Sequence, residues 1–224
     1  MDPVNGRPEK MKEFFDIRAE SYDGHMAEYV DDYKGFYSSL SRAINKTDKQ
    51  LKILDLGCGT GLEFEYIFAK APNALVTGID LSQKMLDLLL EKYKHKKGQI
   101  EVIKGSYLDL DLQIEEYDFI VSVMSFHHFL PEIKLDLYEK IWTALKPGGK
   151  YIEGDYVVSE DKETEMLVDY KEKLQKNKVL KDKLFHLDIP LSIETEKELF
   201  RQAGFVDFKL IYKGEESGVY SVVK

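Results

Sequence analysis

The segment Ile53–Gly61, ILDLGCGTG, constrains the fold more than any other part of the chain. Four residues suited to a buried strand run directly into three glycines spaced two apart. Glycine weakens a strand and contributes no packing, so its repetition at a strand end marks a tight turn that something approaches closely. In a parallel sheet that is the turn from the first strand into its helix, beyond the carboxyl ends of the strands, where ligands bind.

The rest of the chain supplies such a sheet. LKILDLG (51–57), ALVTGID (74–80), IEVIKG (100–105), YDFIVSV (117–123) and KYIEGDYVV (150–158) read as strands. Helical patterns separate them, from Leu62 to Lys70, over SQKMLDLLLEKYKHKK with Ser82 as N-cap, and from Pro131 to the KPGG stop. Strands alternating with helices indicate a parallel sheet covered on both faces. The end of the chain differs. TEKELFRQAGF has Thr195 and Glu198 in capping-box spacing and Gly204 as a stop, and VDFKLIYK and GVYSVVK, joined by GEES, read as an antiparallel hairpin. The expected fold class is α/β: a doubly wound, mostly parallel seven-stranded sheet with an antiparallel C-terminal hairpin. One domain is expected over 1–224, with an N-terminal helical cap (1–45), a cofactor-binding core (46–158), a lid insertion (159–190), and the last helix and hairpin (191–224).

Charge narrows the partners. A formal net charge of −9 disfavours a whole-protein grip on nucleic acid or anionic membrane. The longest mostly apolar run, FIVSVMSF, is too short to cross a bilayer, and the first residues carry no apolar leader. Cys58 is the sole cysteine, so no intramolecular disulfide forms. A cytoplasmic protein, monomer or homodimer, is expected.

Asp80 ends the second strand, where a carboxylate accepts two hydrogen bonds from a ribose diol. With the glycine turn and the N–H donors of a helix start, it points to a nucleoside-containing cofactor. Gly57, Gly59 and Gly61 run G-x-G-x-G, which departs from the G-x-G-x-x-G of nicotinamide dinucleotide sites.

On these residues the chain resembles the class I S-adenosylmethionine-dependent methyltransferases over about residues 12–224. LDLGCGTG looks like their first motif, which implies that Asp55, Gly57, Cys58, Gly59 and Gly61 lie under the methionine part. The loop amides then suit its carboxylate and Asp55 its ammonium. GIDLS resembles the second motif, implying Asp80 on the ribose and Leu81, with Met85 after it, against the adenine. GSYLDL matches the third, with Ser106, Tyr107 and Leu108 at the adenine edge; the family often has an acid in place of Ser106. YDFIVSVMSFHHF looks like the fourth, with Ser122, Val123 and Met124 passing the sulfonium. FFDIRAESYD (14–23) resembles the N-terminal segment that closes the site, implying Tyr22 over the sulfonium and Arg18 near the cofactor carboxylate. The resemblance implies S-adenosyl-L-methionine as cofactor, S-adenosyl-L-homocysteine as product and a small-molecule acceptor. A non-catalytic protein, or an enzyme of carboxy-S-adenosylmethionine type, is the alternative; the latter needs a cation facing the sulfonium, for which Arg18 and Arg201 are the candidates.

Displacement at a sulfonium needs alignment and exclusion of water more than any fixed catalytic group, and a base only where the nucleophile carries a proton. His127, His128, Asp155 and Tyr22 are the candidate catalytic residues, with helix-start packing open for the histidines and structural hydrogen bonding for Asp155. His186 is a further candidate in the lid. Cys58 reads as a small buried filler as well as a loop residue, the basic run 173–183 as a solvated face. No set with metal-ligand spacing is expected, since His127, His128 and Asp155 alone make too thin a case.

Overall fold

Side chains alternate across β1 (Lys52–Leu56) so that Ile53 enters one apolar cluster and Leu54 and Leu56 another. A strand buried on both sides belongs in the middle of a covered sheet, and β1 lies there. The computed structural model describes residues 10–176 and 186–224. Among them, β2 (Leu75–Asp80), β3 (Ile100–Lys104), β4 (Tyr117–Val123), β5 (Leu145–Tyr156), β6 (Val206–Lys213) and β7 (Ser217–Val223) join β1 in the order β3-β2-β1-β4-β5-β7-β6. The first five strands pair in parallel; β7 runs antiparallel to both β5 and β6. This is the seven-stranded α/β sheet with an antiparallel C-terminal hairpin that the sequence pattern predicts.

One face is covered by α3 (Tyr33–Leu40), α4 (Phe64–Lys70) and α5 (Gln83–Lys92), through Phe36, Leu40, Phe64, Ile67, Leu86 and Leu89. The other carries α6 (Pro131–Ala144) and α8 (Ile193–Gln202), through Leu137, Ile141, Leu199 and Phe200. Ser82 accepts from the Met85 amide at 3.2 Å as the N-cap of α5, and Pro131 opens α6. Two short helices, α1 (Met11–Arg18) and α2 (Tyr22–Tyr29), lie across the carboxyl ends of the strands. They are latched there by Asp16, which accepts from Ser82 Oγ, and by Asp23, which accepts from Thr60 Oγ1 and pairs with Lys92. No helix among the described residues is long and apolar enough to cross a membrane.

Two local expectations change. The N-cap of α8 is Ser192, not Thr195, because Glu163 on α7 (Glu160–Lys176) accepts from the Thr195 hydroxyl at 2.8 Å and from the Ser192 amide at 2.8 Å. β5 also begins at Leu145, five residues earlier than its apolar pattern, since Leu145 pairs with Tyr117 ahead of a register shift. The 159–190 insertion holds α7, and most of its basic run lies outside the described residues.

Between α6, α8 and β5 lies a buried charged cluster. Lys134, 1% exposed, contacts Glu196 and lies 3.5 Å from Glu153. Tyr151 and Tyr220 donate to Glu153 at 2.9 and 3.2 Å, and the Tyr138 hydroxyl stands between the two carboxyls. Burial pushes Glu153 up to about 8 despite Lys134. Removing the lone cation leaves two buried carboxyls to face each other, which is typically worth about 3–5 kcal/mol. Lys134→Met is expected to lower the midpoint of thermal unfolding by about 10 °C, and by more at pH 8 than at pH 5, where Glu153 is protonated. An unchanged midpoint in a thermal melt would contradict this.

Candidate functional site

The glycine turn is held by acceptors on β2. The Gly57 and Cys58 amides both donate to Ile79 O, at 2.8 and 3.1 Å, and the Gly59 amide donates to Asp80 Oδ2 at 2.9 Å. Gly61 donates to Cys58 O at 2.7 Å. Gly57 needs its positive φ of 81°, and a Cβ on it would lie 2.2 Å from Ser125 Oγ. The Cys58 thiol points into the core and occupies the space left by the absent side chain of Gly78. The amides of 57, 58, 59 and 61 therefore donate within the protein.

Under this turn sit two buried acids. Asp55 is fully buried against the Glu63 carboxyl, and apart from that carboxyl–carboxyl contact neither of its oxygens, nor Glu63 Oε1, has a hydrogen-bond partner among the described residues. Burial and the neighbouring Glu63 carboxyl push Asp55 well above the usual carboxylate range. Burial pushes Glu63 up to about 7. A site with two uncompensated buried carboxyls is chemically matched to a cationic group. Asp80 is half-buried at the turn and desolvation pushes it up to about 6, while its Oδ1 accepts from the Ser82 amide at 2.8 Å. Each of its oxygens keeps a lone pair for a further donor.

Two cavities lie beside the turn, and Asp55 and Glu63 line neither. One is lined by Gly57, Gly59, Asp80, Leu81, Met85 and Tyr107, under Met11, Phe15 and Tyr22 of the N-terminal helices. The other is lined by Phe14, Arg18, His127, Tyr156, His186 and Asp188. They share Phe15, Tyr22, Met124 and His128. Met124 has φ +48°, rare for a non-glycine residue, and the bend turns the chain off β4 so that Ser125 and the 126–128 turn face the cleft. Ser125 Oγ lies 2.7 Å from the Tyr107 hydroxyl. Tyr22 packs over Gly59, and burial together with Glu63 holds its phenol far above the usual range, hence protonated.

The second cavity gathers the titratable groups. His127 Nδ1 lies 2.5 Å from Asp155 Oδ1. Asp155 also accepts from the Phe126 and His127 amides at 2.9 Å and from the Tyr156 amide at 2.8 Å. Burial pulls the His127 imidazole down, but the Asp155 carboxylate more than offsets this and holds it above its usual value. Burial and then His127 depress His128; burial and then His128 push His186 down to about 3. Asp188 Oδ1 lies 3.7 Å from His127 Nε2, 3.3 Å from His128 Nδ1 and 3.8 Å from His186 Nε2.

The structure thus brings most of the residues singled out in the sequence to the cleft and leaves others outside its lining. Ser122 donates to Leu56 O at 3.1 Å within the sheet, Val123 and Cys58 pack in the core, and Ser106 accepts from the Leu108 amide while Leu108 packs against the second apolar cluster. Arg18 lines the second cavity, stacked on Phe14 and donating to its carbonyl, rather than reaching the glycine turn. Arg201 is on the surface of α8, paired with Glu198. Glu63, Ser125 and Asp188 were not singled out. Asp188 carries a readable signal in the His-x-Asp spacing of FHLDIPLS, and Glu63 in an acid placed just inside the glycine turn.

Glu63 gives a test. Its folded pKa of about 7 lies above an ordinary 4.5, so the stability of the protein alone falls as pH rises between these values. Glu63→Gln is expected to remove most of that slope and to stabilise the protein by about 1–3 kcal/mol at pH 8. Thermal melts of both proteins at pH 5 and pH 8 check this; parallel losses in the two would contradict it.

A methyltransferase-domain family model matches residues 53–149. An uncharacterized methyltransferase of Anoxybacillus flavithermus is 34% identical over 152 residues, covering 64% of this chain and 68% of that protein. A carboxy-S-adenosyl-L-methionine synthase of Nautilia profundicola is 25% identical over 238 residues, covering 100% of this chain and 99% of that one. The fold is also that of Haemonchus contortus phosphoethanolamine N-methyltransferase 2, solved in complex with S-adenosyl-L-methionine, at a TM-score of 0.69 and 16% identity over 98% of this chain. This chain spans 61% of that solved chain's length. Sequence kinship, sheet order and glycine turn agree: the chain belongs to the class I S-adenosylmethionine-dependent methyltransferase family.

Proposed function

We propose that the protein binds S-adenosylmethionine in the first cavity and transfers its methyl group to a small-molecule acceptor held in the second. The observation that carries this reading is the meeting of the two cavities at Phe15, Tyr22, Met124 and His128. The cofactor supplies an electrophilic methyl on a sulfonium. Asp55 and Glu63, beneath the turn that borders the first cavity, are the acids matched to its ammonium group, and Asp80 accepts from the ribose hydroxyls. Leu81, Met85 and Tyr107 take the adenine side. Met124 and the Tyr22 ring border the passage between the cavities, and an aromatic face attracts a cation. Tyr22 stays protonated and so positions the reacting groups rather than taking a proton.

On the acceptor side, Asp155 holds His127 Nδ1, which directs the lone pair of His127 Nε2 into the cavity. This is the basic group available to an acceptor. The N-terminal helices and the 186–189 segment cover the cavity, which favours a small molecule over a polymer and excludes the water that would compete.

A second reading is favoured by the near-complete coverage of the carboxy-S-adenosyl-L-methionine synthase relative. It would make the cofactor itself the substrate, with Arg18 facing it; Arg201, on the far surface, does not serve.

The test is release of S-adenosylhomocysteine from S-adenosylmethionine in the presence of a metabolite extract freed of macromolecules, followed by mass spectrometry. The proposal predicts a methylated product, and Asp80→Asn with the fold intact and cofactor affinity reduced about tenfold or more, as loss of charge-assisted hydrogen bonds requires. A cofactor product heavier by a carboxyl group would instead establish the second reading. Cofactor binding with no product would overturn both.

A further inference from the structure

His127, His128 and Asp188 stand in the arrangement of a metal centre. One ligand atom from each lies within 4.8 Å of the other two. Two ligands of a tetrahedral zinc-class ion, each about 2.0–2.1 Å from it, are about 3.4 Å apart. The spacings of Asp188 Oδ1 to His128 Nδ1, 3.3 Å, and to His127 Nε2, 3.7 Å, are close to that already.

Three further observations distinguish this cluster from a chance meeting of polar side chains. Asp155 engages Nδ1 of His127, leaving Nε2 for the cavity, which is how a carboxylate behind a ligating histidine fixes its tautomer and ring orientation. Both histidines are buried, so their positions are set by packing rather than by solvent-exposed rotamers. The segment that carries Asp188 is pinned beside them: the Ile189 amide donates to His127 O at 2.6 Å, and Leu191 bridges Val157. Among the described residues, the His128 Nδ1 contact with Leu187 O, 3.2 Å, is the competing interaction at a ligand nitrogen.

We propose that His127, His128 and Asp188 bind a divalent first-row transition ion of the zinc class. Two imidazoles and one carboxylate leave coordination positions open, as in catalytic rather than structural centres. Those positions face the cavity that also contains Arg18, Tyr156 and His186, and they suit an acceptor whose nucleophile is an oxygen or a thiol; with an ion in place His127 Nε2 is a ligand, and activation of the acceptor passes from that nitrogen to the ion. The placement on the acceptor side rests on the methyl-transfer reading; the ion site itself does not.

The experiment uses the full chain without cofactor, stripped with a chelator, dialysed and titrated with cobalt(II). One equivalent is expected to bind, with a visible d–d absorption that zinc abolishes by displacement. Asp188→Asn, on a residue 42% exposed and so tolerant of change, is expected to weaken binding a hundredfold or more, and His127→Ala likewise. Asp155→Asn, which removes no ligand, is expected to weaken it about tenfold to a hundredfold. His95→Ala, at the surface far from the cavity, is expected to bind as the parent does. Absence of stoichiometric uptake, or uptake equal in the parent, Asp188→Asn and His127→Ala proteins, would overturn the proposal. Because no cofactor is present, either failure leaves the methyl-transfer reading standing, and success does not depend on it.

Discussion

The carbonyl of Ile79 and the carboxylate of Asp80, both at the end of β2, hold the glycine turn that follows β1. Three amides in a row reach these two acceptors only if the chain doubles back tightly, which demands the positive φ that glycine permits. The rest of the site follows from that turn. It lets Ser125 sit directly over Gly57, sets Tyr22 against Gly59 and brings the N-terminal helices down onto α5 through Asp16 and Ser82.

A second constraint is electrostatic. Asp55 and Glu63 are buried beneath the turn against each other, with no cation of the described residues between them. Such groups destabilise a folded chain unless a cation satisfies them. The contrast with the Lys134 cluster is instructive, because there the cation is built in, and the tyrosine hydroxyls complete the hydrogen bonds. One cluster is completed by a cation of the fold; the other is not. The second cavity follows the same logic. Three imidazoles, of His127, His128 and His186, converge on the single carboxylate of Asp188, a surplus of lone-pair donors over acids.

Much of this was legible in the sequence. The parallel, covered sheet followed from the alternation of patterns, the α5 cap from Ser82, the start of α6 from Pro131 and the hairpin from two short runs about a polar turn. These are local signals, and local propensity decides them. What the sequence did not show depends on partners distant in the chain. Thr195 looks like a cap until Glu163 takes its hydroxyl. Ser122 and Val123 belong to the motif that runs past the cleft, yet strand alternation and the bend at Met124 direct them into the sheet and core. The glycine amides seem available until β2 claims them. Asp188 is an ordinary loop acid until the 186–189 segment docks on His127.

The central claim is that the glycine turn, the buried acids and Asp80 together form a site for S-adenosylmethionine. The most direct measurement is calorimetric titration of the purified protein with S-adenosylmethionine, S-adenosylhomocysteine and NAD in parallel. The account predicts micromolar binding of the first two and none of NAD. Binding of NAD alone, or of none of the three, would contradict it.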